Sequence, residues 1–294
     1  MPAPRPAAAV VPAAKRRRGN TRTTGKEQFY TPRELADELM AQVAEVVGDL
    51  STRTVLEPAG GSGAFIDAAL RAGVTALQSW DIEPHHSSVK RGDFLRARIG
   101  VSGAVTISNP PFGRNNALSI PFFNRAAEHS DYIAFIVPRS WRKWSVVNRL
   151  DRHFWKVADS DIQVDYVDAN NQPLMQRKRL NTCFQIWERR AELRPLYVVE
   201  DRGLVTKVAP AEADVALTTF GFGCGTVRTE FDRVPNSTRI FLKLNHPDAL
   251  RALQTVDYSK FFRHTAYTEA VGLQEINFLL NEAIFGDPGL VERA

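Results

Sequence analysis

Asn109-Pro110-Pro111-Phe112 places a carboxamide, two prolines and an aromatic ring in four consecutive positions. Those groups suit a flat ring that bears an amine. The Asn109 amide oxygen and a carbonyl can accept from the amine, and the Phe112 ring can stack on the ring face. A proline turn capped by asparagine would leave the same four letters, so the stretch needs support from elsewhere in the chain.

The second chemistry-bearing stretch is Glu57-Pro58-Ala59-Gly60-Gly61-Ser62-Gly63-Ala64-Phe65. Its small residues let backbone approach a ligand closely and reach φ angles that other residues resist. No Gly-Lys-Ser/Thr follows, as a phosphate-binding loop would require. The third glycine of a dinucleotide fingerprint is also missing, and the Glu57 carboxylate would repel a pyrophosphate while suiting a cation. A third stretch, Asp81-Ile82-Glu83-Pro84, lies about 20 residues beyond the glycines, where an acid normally holds a ribose diol. Asp93, in Arg91-Gly92-Asp93-Phe94, falls at the expected end of a further short strand.

Each group needs an element to position it. Ala104–Ser108 and Thr54–Leu56 read as buried strands ahead of the two main motifs, and Ala76–Trp80 as a strand ahead of Asp81. Ala64–Ala72 is rich in helix formers. Pro110 and Pro111 forbid continuing the strand before them, because neither donates an N–H and each fixes φ. Strand, glycine turn and helix open a doubly wound, mostly parallel α/β sheet, whose ligands sit at the carboxyl ends of its strands.

With these motifs in order, the chain resembles the S-adenosylmethionine-dependent N6-adenine DNA methyltransferases of the gamma arrangement. The order Gln28-Phe29-Tyr30-Thr31-Pro32, then Glu57 to Phe65, then Asn109 to Phe112 carries the resemblance, over roughly residues 27–190. It implies a Rossmann-like class I methyltransferase fold with a small C-terminal α+β region. S-adenosylmethionine is then the cofactor and double-stranded DNA the substrate, with a cognate restriction nuclease as a candidate partner. By the same resemblance Tyr30, Thr31 and Pro32 contact the methionine part of the cofactor. Glu57, Gly61 and Gly63 line its amino-acid end, Asp81 binds the ribose and Asp93 the adenine amine. Pro58, Phe65, Ile82 and Phe94 belong to the same cofactor site. Glu is common in this family where Asp81 stands, and Glu83 is an alternative holder of the ribose. Catalysis falls to Asn109, Pro110, Pro111 and Phe112, acting on a base flipped out of the duplex.

Composition sets the outer limits. A chain of 294 residues can bury a substantial core, and no apolar run approaches the ~18 residues that cross a bilayer. The N-terminus does not read as a secretory signal, since its basic cluster follows the Ala/Val/Pro stretch. Cys183 and Cys224 are the two cysteines, which excludes a disulfide framework and fits a reducing cytosolic compartment; with the DNA substrate that the resemblance implies, the expected location is cytoplasmic and nucleoid-associated. Seven of the 38 Lys and Arg, and none of the 33 Asp and Glu, lie in residues 1–26, so the rest of the chain carries two negative charges in excess. This basic, Pro/Ala-rich tail is expected to be disordered and could hold nucleic acid by counterion release; a merely solubilising tail would have the same composition. His85 and His86 read as a surface turn, and no metal site is expected.

Residues 139–190 hold eleven Lys/Arg against six Asp/Glu. They follow Tyr132–Pro138, which reads as the fifth strand, so their first loop is expected on the rim that carries Asn109. Arg139, Trp141, Arg142 and Lys143 of that loop, with Arg177, Lys178 and Arg179 further on, are the expected nucleic-acid contacts, tryptophan stacking on unpaired bases. Ile162–Val167 and Thr182–Trp187 alternate like a final β-pair. The expected organisation is a tail (1–26), a catalytic domain (27–195) and a target-recognition region (196–294). In the last, Phe220–Gly225 reads as a tight turn, Arg239–Leu244 as a strand, and 246–254 and 272–285 as helices. Alternatives stay open at this level. An RNA adenine or guanine, an N4-cytosine or a protein-glutamine amide presents a similar planar nitrogen, and a DNA-binding protein that only retains the fold is a further reading.

Overall fold

The computed structural model describes residues 29–168, 170–173 and 180–293. The basic tail and Arg177, Lys178 and Arg179 lie outside these residues. In chain order the first elements are α1 (Arg33–Val47), β1 (Thr54–Glu57), α2 (Ala64–Arg71), β2 (Ala76–Asp81), β3 (Lys90–Arg91), β4 (Ala104–Ser108), α3 (Ser119–Ala127), β5 (Ser130–Pro138), α4 (Trp144–Val147), β6 (Phe154–Ile162) and β7 (Thr182–Arg189). Their seven strands form one sheet in the order β3-β2-β1-β4-β5-β7-β6. Strands β1 to β5 pair in parallel, while β7 runs antiparallel between β5 and β6. The fold is the expected doubly wound, mostly parallel α/β sheet of Rossmann-like form.

Burial on both faces explains why the central strands are continuous apolar runs. Along β5, Ile133, Phe135 and Val137 join one core with Phe123, Trp141 and Trp187, while Ala134 and Ile136 join the other with Leu39, Val55 and Phe184. The chain moves outward from β1 to β3 and then returns to β4 on the far side of β1. Strand order reverses between β1 and β4, and such a reversal opens a crevice beyond the carboxyl ends of the strands.

The expected pairing of Ile162–Val167 with Thr182–Trp187 is corrected. The partner of β7 is β6, which ends at Ile162. β6 is an edge strand carrying Lys156, Asp159 and Asp161, and such charges break the apolar alternation that marks an interior strand.

The C-terminal part comprises β8 (Tyr197–Val199), β9 (Val205–Lys207), β10 (Val215–Thr218), β11 (Val227–Arg228), β12 (Arg239–Leu244), α5 (Ala249–Thr255), α6 (Ser259–Phe262), α7 (Leu273–Phe285) and β13 (Leu290–Glu292). β9 to β12 form an antiparallel sheet in the order β11-β10-β12-β9, and β13 pairs with β8. Leu217, Leu242, Leu253, Ile276 and Leu280 share a separate core. This part meets the larger sheet through Trp144, whose ring stacks on Phe278 at 5.5 Å, and through Lys143 Nζ, 3.1 Å from the buried Glu275 carboxylate.

Candidate active site

The site begins with Glu57, the last residue of β1. Its side chain is 2 % exposed, and Oε1 accepts the Ser108 hydroxyl at 2.5 Å and the Ala59 N–H at 3.0 Å. Ser108 is the last residue of β4, immediately before Asn109. One buried carboxyl therefore ties the glycine turn to the Asn-Pro-Pro-Phe turn across the strand-order reversal. Burial pushes the Glu57 carboxyl up to about 8, and the Asp81 charge adds to this, while the bonds from Ser108 and Ala59 oppose it. Near neutral pH the group is largely a neutral acid, and a cation placed beside it would favour its ionised form.

The turn after β1 is built where side chains do not fit. A Cβ at Gly60 would lie 2.2 Å from Ser79 Oγ, and one at Gly61 2.5 Å from the Tyr30 ring. Gly63 adopts φ +85° as the cap of α2, with the His86 ring 2.4 Å from where its Cβ would be. Asp81, at the end of β2, accepts the Gly61 N–H through Oδ2 at 2.9 Å and the Glu83 N–H through Oδ1 at 2.8 Å. The acid expected at a ribose thus stands directly beside the glycines. Burial first, then the charges of Asp81, Glu83 and Asp168, push the Tyr30 hydroxyl up to about 12.

Asn109 Nδ2 donates to the Phe29 carbonyl at 3.0 Å. That bond fixes the amide and leaves Oδ1 as its acceptor. Beyond Pro110 and Pro111, the Phe112 carbonyl accepts the N–H groups of Leu118 and Ser119, which folds the turn back onto α3. Two cavities flank these residues. A small one of about 30 Å³ is lined by Tyr30, Thr31, Glu57, Phe65 and Asn109. A cleft of about 470 Å³ is lined by Phe112, Asn116, Ser140, Lys143, His264 and Tyr267. Phe29 lines both. The small cavity has room for a water or two, because the Tyr30 ring lies over Gly61 and the His86 ring over Gly63.

The expected cofactor residues are brought together unevenly. Tyr30, Thr31, Glu57, Gly61, Gly63, Phe65 and Asp81 gather around the glycine turn. Pro32 caps α1 at the same end, Pro58 is buried within the turn, and Ile82 beside Asp81 is 55 % exposed. Asp93 caps a single turn by accepting the Leu95 N–H. Phe94 is corrected to a core residue, since its ring packs between Trp80 and Phe122.

The expected nucleic-acid loop is corrected more sharply. Trp141 is fully buried and donates Nε1–H to Ser119 Oγ at 3.2 Å, so it cannot stack on a base. Arg142 forks onto Asp159 and reaches Asp161, Arg139 reaches Asp161 at 3.0 Å, and Lys143 pairs with Glu275. The excess of positive charge that marked this loop is met by acids on β6 and α7. Asp159 and Asp161 share one face of β6, a signal present in the sequence; Glu275 lies too far along the chain to be paired by inspection.

Phe29 stands between the two cavities; it lies in the motif ahead of Tyr30, but no role is expected of it from the sequence. Other site residues had no motif to announce them: Ser108 bonds Glu57, and His86 covers Gly63 with its Nε2 3.3 Å from Asp67. His264 and Tyr267 come from a segment whose pattern says nothing of the cleft they line.

No protein-family model matches the sequence, and the search of curated proteins finds no match. Solved structures share the chain path in part. A Pyrococcus horikoshii protein provisionally assigned as an RNA methyltransferase is 21 % identical, over 55 % of this chain and 87 % of its own, with a TM-score of 0.45. A Listeria monocytogenes protein provisionally assigned as a class I S-adenosylmethionine-dependent methyltransferase is 14 % identical, over 56 % and 62 %, with a TM-score of 0.42. The M protein of the type I restriction enzyme EcoKI is 14 % identical, over 58 % and 46 %, with a TM-score of 0.41. Likenesses at this level carry no chemistry.

Proposed function

We propose that this chain is an S-adenosylmethionine-dependent methyltransferase that acts on the exocyclic amine of adenine in DNA. One observation carries the reading. The glycine turn with its buried carboxyl and the Asn109–Phe112 turn stand side by side at the strand-order reversal, and Phe29 lines both of their cavities. A donor held at the first turn and an acceptor held at the second would be neighbours.

The donor set around the glycine turn fits the proposed cofactor. Glu57 offers a carboxyl at the strand end for a cationic amino-acid group, Asp81 offers oxygens for a ribose diol, and Gly61 and Gly63, buried under the Tyr30 and His86 rings, would present backbone once those rings move. The bound donor would supply an electrophilic methyl group on a positively charged sulfur. Admitting it requires the Tyr30 ring to leave Gly61.

The chain's own task is to make a poor nucleophile reactive. The lone pair of an adenine amine is delocalised into the ring. Asn109 Oδ1 and the Pro110 carbonyl accept its two N–H groups, draw the nitrogen toward tetrahedral geometry and localise the pair. Phe112 stacks on the base and fixes its plane. The Phe29 carbonyl and the Glu57–Ser108 bond hold this apparatus still, so that orientation and electrostatic preorganisation supply the acceleration. No strong base is needed: the methyl–sulfur bond would break as the nitrogen–methyl bond forms, its electron pair staying on sulfur as a neutral thioether, and the amine proton, acidic once the nitrogen has its fourth bond, passes to solvent. The base enters the 470 Å³ cleft by flipping out of the duplex.

The division of labour we infer is a catalytic domain spanning 27–195 and a target-recognition region spanning 196–294. Cytoplasmic, nucleoid-bound action follows from the proposed substrate, and a cognate nuclease is a candidate partner. Incubating the protein with methyl-tritiated S-adenosylmethionine and, separately, duplex DNA, ribosomal RNA and a protein extract tests the assignment. Label is expected in the DNA, on adenine. Label confined to RNA or protein would overturn the substrate, and failure to bind the donor would overturn the enzyme.

A further inference from the structure

The cleft beside Phe112 has a wall that comes from the far end of the chain. After α6 the chain runs through Arg263–Tyr267, and the Asn181 N–H donates to the Ala266 carbonyl at 2.7 Å. That bond pins the segment beside the start of β7. His264, Thr265, Ala266 and Tyr267 all line the cleft.

Thr265 Oγ1 is buried and has no hydrogen-bond partner among the described residues. Buried hydroxyls in folded proteins are almost always satisfied, so a buried hydroxyl in a cleft wall calls for a reason. Its surroundings narrow the choice of partner. Lys143 in the same lining is paired with Glu275. Burial, with Arg142 and Lys143 nearby, depresses the His264 imidazole below its usual range, so it is largely uncharged at neutral pH. The Asn116 Nδ2–H is held by Ser140 Oγ at 3.1 Å. Arg149 also lines the cleft and is exposed, so the cleft joins neutral polar groups and an aromatic ring, which suit an uncharged heteroaromatic ring, to a cation that suits the phosphate of the same nucleotide.

We propose that segment 264–267 is the acceptor-specificity strap of this cleft, with Thr265 Oγ1 hydrogen-bonding the edge of the ring that stacks on Phe112. The proposal rests on reading the cleft as the acceptor site. It makes Thr265 a positioning residue that acts on which base is held rather than on the transfer itself. A site built to hydrogen-bond a ligand edge loses far more by losing that bond than an apolar pocket loses by a change of shape.

The test uses the full chain as wild type, Thr265→Val and Thr265→Ser. Each is saturated with S-adenosylhomocysteine and titrated with millimolar adenosine and cytidine, followed by amide chemical shifts. Thermal melting confirms that each variant is folded. The expected result is that wild type and Thr265→Ser prefer adenosine. Thr265→Val should bind it at least tenfold more weakly, with its preference over cytidine reduced and its S-adenosylhomocysteine affinity unchanged. Equal adenosine binding by wild type and Thr265→Val would overturn the proposal, as would absence of adenosine binding by wild type. Failure to bind S-adenosylhomocysteine would instead strike the enzymatic reading, and the nucleoside titrations would still decide the role of Thr265.

Discussion

Glu57 couples the two turns of the site, and its titration is the most direct handle on that coupling. Its carboxyl is raised from an ordinary value of 4.5 to about 8 by burial. The folded protein therefore holds a proton there that the unfolded chain releases. By linkage, this contribution to stability is fully present below about pH 4.5 and is lost as pH rises through about 8. Urea unfolding midpoints of wild type and Glu57→Gln, compared between pH 5 and 9, should show the wild type losing ground to the variant as pH rises. A difference independent of pH would mean that Glu57 is ionised throughout. On the acceptor side, Phe112→Ala removes a stacking platform worth ~1–3 kcal/mol per base. Methyl transfer should fall by roughly ten- to a hundredfold without vanishing, as single-turnover rates would show.

At the scale of elements, the turn after β1 is shaped by the absence of Cβ atoms. Gly60→Ala would place a carbon 2.2 Å from Ser79 Oγ and 2.8 Å from Val89. Overpacking of this kind costs about 1–3 kcal/mol, and chemical denaturation of the variant should show a loss of that size together with weakened donor binding. This is also the scale at which the sequence was most and least legible. β1, β4 and β5 could be read because strands buried on both faces are largely apolar runs with a turn signal behind them, and the half-exposed β2 by its place ahead of the Asp81 turn. β12 and the two longer C-terminal helices, α5 and α7, were legible from alternation and from helical spacing. β6 was not, since an edge strand carrying lysine and aspartates resembles a loop. Trp141 and Phe94 misled for a related reason. A tryptophan among cations and a phenylalanine after an acid look like ligand contacts, yet both rings are buried in one core cluster, where large aromatic side chains contribute much of the packing. Arg142 misled because β6, which carries its partners Asp159 and Asp161, does not read as a strand, and Lys143 because Glu275 is distant in sequence.

Across the whole molecule, the cleft is composite: the sheet supplies Phe112 and Ser140, and the C-terminal part supplies His264 to Tyr267. Trp144 on Phe278 and Lys143 on Glu275 hold the two sets together. With Arg139, Arg142 and Lys143 committed to acids inside the protein, free cations for a polyanion must come from elsewhere. Residues 1–26 bring seven Lys/Arg and no acid. Deleting them should weaken binding to duplex DNA of any sequence and flatten its dependence on log salt, the slope falling by roughly 0.9 for every phosphate that the tail no longer neutralises. Filter binding between low and moderate salt would read this, and an unchanged slope would remove the tail from the interface. The C-terminal strap had no legible signature, because a wall made by folding two distant segments together leaves no spacing to find.

The central claim is that Asn109 Oδ1 and the Pro110 carbonyl grip an adenine amine beside a donor held at the glycine turn. Its most direct test pairs calorimetric titration of S-adenosylmethionine with mass spectrometry of nucleosides from treated duplex DNA, for wild type and Asn109→Ala. Both proteins should bind the donor with similar affinity, and only wild type should yield N6-methyladenine. Equal yields of the methylated nucleoside from the two proteins, or a wild type that does not take up the donor, would contradict the account.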